Sequence, residues 1–294
     1  MKKTTILFIL TIISTALLAH DKYFVLDLDS KDYKVVDISL HANKAYGKSI
    51  DIELYNLRYD KNTLILFSIL PTVSKENWSA VNVKDLKAQI IDFRQLKLLF
   101  EDGFKMFLNS SGYDSDHLKR QDIILIIKKG DKYFRSENCI TEYFKMIEQP
   151  VLFPNLMGNI YINTKSPDLS VKAFETRHKE IYKDFSVNAI TSKNQTGSSS
   201  LKRPLERPLT FFSGSLEILG YKCYKFWQFT DWRVADGLNL RRGIDRFLYV
   251  PELGIIGGSF DSWFEPMVSQ TVIFDHYMNE VLIIPESATD IHIH

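Results

Sequence analysis

The chain has few cysteines, almost no net charge and, beyond its first residues, no long apolar run. Two cysteines, Cys139 and Cys223, occur in 294 residues. That excludes a disulfide-dense scaffold, and no closely spaced Cys or His set of a structural zinc site is present. In an oxidising compartment the pair can form one bridge. It would close a loop of about 85 residues, worth about 4 kcal/mol in the chain-entropy model. The alternative is two small buried thiols. Lys and Arg number 37 against 36 Asp and Glu, a formal charge of +1. A near-neutral chain has no global electrostatic reason to seek nucleic acid or anionic lipid. After residue 19 no segment approaches the roughly 20 apolar residues a spanning helix needs, and there is no internal repeat or heptad array.

What is present is a folded, aromatic-rich composition. Apolar residues make up 45% and charged residues 25%, with 20 Phe, 14 Tyr and 4 Trp, which suits strands and a sizeable core. The first nineteen residues stand apart: a positive Met1-Lys2-Lys3, then an uncharged apolar run to Ala19. This is the pattern of a secretory signal peptide, with cleavage after Ala16 or Ala19. The expectation is an exported chain, secreted or periplasmic, with no transmembrane segment in its mature form.

Residues 22–70 read as strands separated by polar turns. A long helix is predicted over Lys84–Leu108, where Leu86, Ile90, Phe93, Phe100, Phe104 and Phe107 recur at helical spacing and Asn82 with Asp85 cap the start. Residues 122–136 read as a hairpin turning at Lys129-Gly130-Asp131. The 139–150 stretch fits either a short helix or a strand. Ser166-Pro167-Asp168 reads as a second helix start, with a stripe of Phe174, His178, Ile181 and Phe185. Residues 191–209 form a polar linker or loop. They divide an N-terminal α+β portion, 20–190, from a β-rich C-terminal portion, 210–294. There, Pro251 to Gly254 links two antiparallel strands. The fold class expected is α+β, predominantly antiparallel sheet with two or three helices.

Several stretches carry possible chemistry. Gly254–Trp263 (GIIGGSFDSW) holds three of the thirteen glycines. No Lys follows Gly258, so it is not a P-loop. Gly257-Gly258-Ser259-Phe260-Asp261 is one residue from the nucleophile elbow G-x-S-x-G. Asp275 or Asp290 with His276 or His292 would complete a triad. Strand glycines more often mark a bulge or a close approach by a neighbour. At the chain end, Asp290, His292 and His294 would share one face of a strand, a set that suits a transition metal, although a frayed terminus is the default. Near the start, Phe24–Ser30 (FVLDLDS) resembles the strand-end D-x-D of haloacid dehalogenase-like phosphatases. The resemblance implies a nucleophilic Asp27 and an acid/base Asp29. It covers only these residues, with Ser30-Lys31 where that family usually has Gly-Thr, and strand alternation accounts for the same pattern.

The densest polar cluster is Thr230–Arg246. Trp232, Asp236, Arg242, Asp245 and Arg246 make it the candidate ligand-binding surface, since Arg holds carboxylate or phosphate bidentately and Trp stacks on rings. Mutual Arg–Asp pairing in a surface loop is the competing reading. No catalytic constellation is complete and no cofactor motif is found. The expected function is therefore a non-enzymatic envelope-associated or secreted protein. It would bind an unidentified protein, small molecule or glycan through its C-terminal β-rich portion. A secreted hydrolase using Ser259 or a metal is the alternative.

Overall fold

The computed structural model describes residues 21–71, 76–109, 116–150, 160–187, 209–229 and 243–294. Among the described residues sixteen strands form three sheets. The first sheet has the order β5-β9-β8-β1-β6, from β1 (Lys22–Val25), β5 (Trp78–Val81), β6 (Ile90–Ile91), β8 (Ile123–Lys129) and β9 (Lys132–Ser136). Here β1 runs parallel to both β6 and β8. The central sheet has the order β11-β10-β4-β3-β2-β16. Its strands are β2 (Lys34–His41), β3 (Asp51–Asp60), β4 (Thr63–Ile69), β10 (Cys139–Ile147), β11 (Tyr161–Asn163) and β16 (Ile291–Ile293), with β7 (Lys119–Arg120) also on β10. The third sheet is an antiparallel meander of β12 (Leu209–Ile218), β13 (Tyr221–Phe229), β14 (Arg246–Val250) and β15 (Gly254–Ser259). The chain is thus α+β and rich in antiparallel strand.

The central sheet is covered on both faces, which explains why β4 is largely apolar, with Thr63 and Ser68 as its polar members, and is buried at every position. Alternation along its strands sorts the side chains. Val36, Ile38, Leu54, Leu64, Leu66, Ile140 and Phe144 join Phe226, Phe247 and Ile255 of the third sheet in one core. Val35, Leu57, Ile65, Phe67 and Tyr143 join Phe24 and Leu125 of the first sheet and Leu96, Phe100 and Phe107 of a helix in another. A third cluster, including Phe174, Phe211, Trp227 and Tyr277, lies on the outer face of the meander. The first and third of these clusters therefore draw on residues from both sides of the 191–209 segment, and β16 pairs with β2. Residues 191–208 themselves lie outside the described residues.

Five α-helices occur among the described residues: α1 (Asn43–Tyr46), α2 (Phe93–Asn109), α3 (Val171–Ile181), α4 (Asp261–Phe264) and α5 (Gln270–Met278). The helix predicted from Lys84 starts nine residues later. Asp92 Oδ1 accepts from Gln95 N at 2.8 Å and Gln95 Oε1 accepts from Asp92 N at 2.9 Å. This reciprocal cap outcompetes Asn82, which opens only a 3-10 turn over Val83–Leu86. Likewise α3 is capped by Ser170, whose Oγ accepts from Ala173 N, not by Ser166. The ambiguous 139–150 stretch is a strand, β10. The β-branched stretch over 268–275 mostly falls in α5, which is started by Ser269, whose Oγ accepts from Val272 N. The hairpin over 122–136 is present, with Gly130 at φ +60° in its turn.

The two cysteines are free and buried. Cys139 sits in the core between the central and first sheets, and Cys223 in the core between the central sheet and the meander. The two-thiol alternative is the arrangement found. No helix among the described residues is long and apolar enough to cross a membrane.

Candidate functional site

The glycine-rich stretch resolves into the last strand of the meander. Pro251 to Gly254 makes the turn, with Gly254 at φ +95°. The register slips between Leu248/Gly257 and Tyr249/Ile255, leaving Ile256 as an extra residue, a bulge. Gly257 and Gly258 answer to close neighbours. A Cβ on Gly257 would lie 2.6 Å from the Ile283 carbonyl oxygen, and one on Gly258 would strike the Ile244 side chain. Ser259 ends β15, is 2% exposed, and its Oγ has no hydrogen-bond partner among the described residues. No histidine is bonded to it.

Of the predicted binding residues, Trp232, Asp236 and Arg242 lie outside the described residues. Asp245 and Arg246 are interior: each is 1% exposed. Arg246 forms a bidentate pair with Asp261, Nη1 to Oδ2 at 2.5 Å and Nη2 to Oδ1 at 3.1 Å, and its Nε donates to the Val281 carbonyl at 3.2 Å. Tyr46 OH donates to Asp261 Oδ1 at 2.7 Å and accepts from Phe260 N at 3.0 Å. Burial works against the charge of Arg246, but the Asp261 carboxylate more than offsets this and holds the guanidinium above its ordinary pKa. Nearby, Asp245 Oδ2 accepts from Ser262 N at 3.3 Å. Glu142 binds Lys119 Nζ at 2.9 Å and Ile244 N at 2.9 Å. Its carboxyl is pushed up by burial, which Lys119 only partly offsets. These groups bond one another inside the fold and tie the meander to the central sheet.

An open cavity of ≈ 460 Å³ lies elsewhere, between the first sheet and the β2–β16 edge of the central sheet. No protein-family model, curated protein or solved structure matches this chain. The cavity must therefore be interpreted from its own groups. Its floor and one wall are the carboxyl ends of the parallel neighbours β1 and β8: Leu26, Asp27, Leu28 and Asp29, and Ile127, Lys128 and Lys129. The opposite wall is Asp37, Tyr55, His292 and His294. Asp27 and Asp29, noted near the start, and His292 and His294, noted at the end, thus line one space.

Most of these groups are already engaged. His292 Nδ1 lies 3.2 Å from Asp37 Oδ2 and His294 Nε2 lies 2.6 Å from Asp37 Oδ1. The registers explain this, since His292 sits directly opposite Asp37 and His294 follows on the same face. A carboxylate only accepts, so the ring nitrogens facing Asp37 carry the hydrogens. Asp290, grouped with these histidines in the sequence, turns away: its Oδ2 accepts from Glu286 N and Ser287 N, each at 2.8 Å. Among the described residues no group of three His, Cys, Asp or Glu side chains is disposed to hold a metal ion. Lys129 Nζ stands 5.6 Å over the Trp78 ring. Asp27 Oδ1 accepts from Asp29 N at 3.1 Å. Tyr55 donates to Glu53 at 2.8 Å, which also accepts from Trp78 Nε1 at 2.5 Å. The Asp29 carboxylate and the Lys128 ammonium have no side-chain partner among the described residues.

Sequence reasoning missed Asp37, Tyr55 and Lys128 as cavity residues. Asp37 alternates with the apolar Val36 and Ile38 of β2, and its pairing with the last strand is what gives it a role. Its neighbours are fixed by topology, which no local pattern encodes.

Proposed function

We propose that this is an exported, non-enzymatic binding protein that takes a small ligand in the cavity between the first sheet and the β2–β16 edge. The observation that carries the reading is the cavity's lining. It combines apolar side chains from Leu26, Leu28 and Ile127, an oriented Tyr55, and polar groups of both signs, in a volume of ≈ 460 Å³. Such a combination of apolar walls and few convergent polar groups suits a small-molecule site, whose usual volumes run from about 300 to 1,000 Å³. Export rests on the basic start and apolar run of residues 1–19. The C-terminal portion takes part through His292 and His294, while Asp245 and Arg246 act as internal ties.

The test is to purify the protein natively from its exported fraction, denature it, and identify released small molecules by mass spectrometry. The control is Leu28→Trp, which fills the cavity from an exposed rim position. A molecule enriched with the wild type and lost in the variant supports the reading; equal profiles refute it. N-terminal sequencing of the same material checks export, with a start after Ala16 or Ala19 expected and an intact Met1 against it.

A further inference from the structure

We infer that the ligand of this cavity is a short stretch of extended polypeptide, which adds as a strand to the open edge of β16 and places alternate side chains in the cavity mouth. The inference rests on reading the cavity as a ligand site. It comes from following the backbone groups of the β2–β16 edge, which the ladder fixes one by one. In an antiparallel pair, opposed residues alternate between exchanging two backbone bonds and exchanging none, so every second residue directs its N–H and C=O to the other side. On β2, Ala42 N donates to the Ile50 carbonyl at 2.8 Å. In the same phase Leu40, Ile38 and Val36 face β3, so Asp37 and Val35 face β16. The bond from His294 N to the Val35 carbonyl at 3.0 Å sets this phase independently. His292 and His294 therefore direct their backbone groups to β2, and Ile291 and Ile293 direct theirs away. Ile291 N is taken by the Ala288 carbonyl. The N–H and C=O of Ile293 and the C=O of Ile291 are left on the open side, where β16 is the edge of the sheet among the described residues. Ile293 itself is 66% exposed.

That edge offers one donor–acceptor pair and a second acceptor two residues along the strand. The chemistry that matches it is another peptide backbone, with pockets for alternate side chains giving the specificity. A residue opposite Ile293 would exchange both bonds with it and lay its side chain against the exposed isoleucine. The two neighbours of that residue would lie opposite His292 and His294, on the face of the sheet that lines the cavity. These are non-hydrogen-bonded positions, where facing side chains approach most closely. Leu26, Leu28 and Ile127 supply an apolar wall for them. A second copy of β16 fits the mouth less well. It would present only its own His292 and His294, both held by its own Asp37, and would leave the cavity unfilled.

Ile293→Pro is the decisive variant. It removes the outward N–H and no bond of the β2 ladder, and an edge strand tolerates proline in that orientation. Ile293→Val keeps the N–H. The probe is a pool of N-acetylated, C-amidated linear hexapeptides of random sequence, captured on the immobilised full chain and read by mass spectrometry. Wild type and Ile293→Val should enrich a set of sequences with apolar residues at every second position, and Ile293→Pro should enrich none of them. An enriched peptide is then resynthesised with single N-methylated amides and titrated against the wild type, a series that needs no change in the protein. Methylation should weaken binding at least about tenfold at alternate amides, the factor that 1.4 kcal/mol represents, and leave it unchanged at those between. If no sequence is enriched, if Ile293→Pro enriches the same set, or if every N-methylated peptide binds like its parent, the inference is overturned. A wild-type dimer that Ile293→Pro dissolves, with no peptide enriched, would give the edge to a second copy instead. The cavity reading is judged separately by whether Leu28→Trp loses a copurifying molecule: a non-peptide molecule lost in that variant would keep the cavity as a ligand site and overturn the peptide assignment.

Discussion

Replacing Arg246 with alanine probes the interior most sharply. Arg246 and Asp261 have side-chain exposures of 1% and 0%, so solvent cannot screen what is left behind. Removing the guanidinium takes away both bonds to Asp261 and strands a buried carboxylate with, among the described residues, the Tyr46 hydroxyl as its remaining side-chain donor. It also leaves the Val281 carbonyl without its arginine donor and empties the space beside the Tyr277 ring, over which the guanidinium sits at 5.2 Å. Breaking one half of a buried pair costs about 3–5 kcal/mol. Set against a total of about 5–15 kcal/mol for a folded chain, that is a large fraction. It corresponds to a fall in Tm on the order of 10 °C, at about 2–4 °C per kcal/mol for larger domains. Urea denaturation at neutral pH reads the loss as a lower midpoint at unchanged slope. Asp261→Asn should cost a similar amount because it strands the guanidinium instead. The double variant should then cost clearly less than the sum, since it strands neither charge. Tyr46→Phe should cost about 1–3 kcal/mol by leaving Phe260 N and one Asp261 oxygen short of a partner. If both single variants lose under about 1 kcal/mol and their effects add, the pair behaves as an exposed ion pair, and its role as an internal tie is refuted.

Three further outcomes follow from particular contacts. Gly254→Ala should destabilise by about 1–3 kcal/mol, because the position has φ +95° and a Cβ would lie 2.6 Å from Asn56 Oδ1; an unchanged urea midpoint would contradict the geometry. In the native state Cys139 and Cys223 should resist maleimide, since burial pushes the Cys139 thiol up to about 12 and raises Cys223 as well. In denaturant without reductant both should react, and fewer than two thiols would indicate a bridge. Asp122 is held below its ordinary carboxylate value: burial raises it, but hydrogen bonds from Arg120 and Lys22 outweigh burial. A lowered folded-state value stabilises above the unfolded value of about 3.9 and is lost as pH falls through the folded one. Asp122→Asn should therefore weaken the fold at pH 7 and converge with wild type in strong acid; a gap independent of pH would count against it.

The β-rich α+β class was legible because strand alternation and turn chemistry are local. The hairpin at Gly130 and the turn from Pro251 to Gly254 follow from two to four residues each. Helix starts were less legible where two caps compete: Asp92 with Gln95 overrides Asn82, and Ser170 overrides Ser166. Val171 N, for example, is also bonded by Glu280 from the far end of the chain. The candidate site was legible only in fragments. Asp27, Asp29, His292 and His294 stood out as residue types, but the cavity exists because β16 docks on β2 and β8 lies beside β1. Arg246 and Asp245 stood out as binding groups for the same reason, and the partner that turns Arg246 inward, Asp261, is set by the fold.

The polar residues on the inner face of the central sheet explain how two sheets without a shared backbone ladder keep a fixed offset. That face meets the meander through apolar side chains, which are indifferent to small slides. Asn56 and Glu142 project from the same face and are not indifferent. Asn56 Nδ2 donates to the Ile255 carbonyl at 2.9 Å and its Oδ1 accepts from Ile255 N at 2.8 Å, so one side chain stands in for a strand and pairs with β15 at a single position. Gly254 leaves the room for it, which ties the glycine to the register as well as to the turn. Glu142 accepts from Ile244 N, two residues before β14, with Lys119 compensating its charge. A slide of one residue would strand an amide, a carboxylate and three backbone groups away from water, each at about 1–3 kcal/mol or more. The apolar layers supply the adhesion between the sheets, and these two side chains determine where the sheets sit. The meander then carries Gly258 to its bridge with Ile283, the point from which the chain runs on to β16 and the cavity wall.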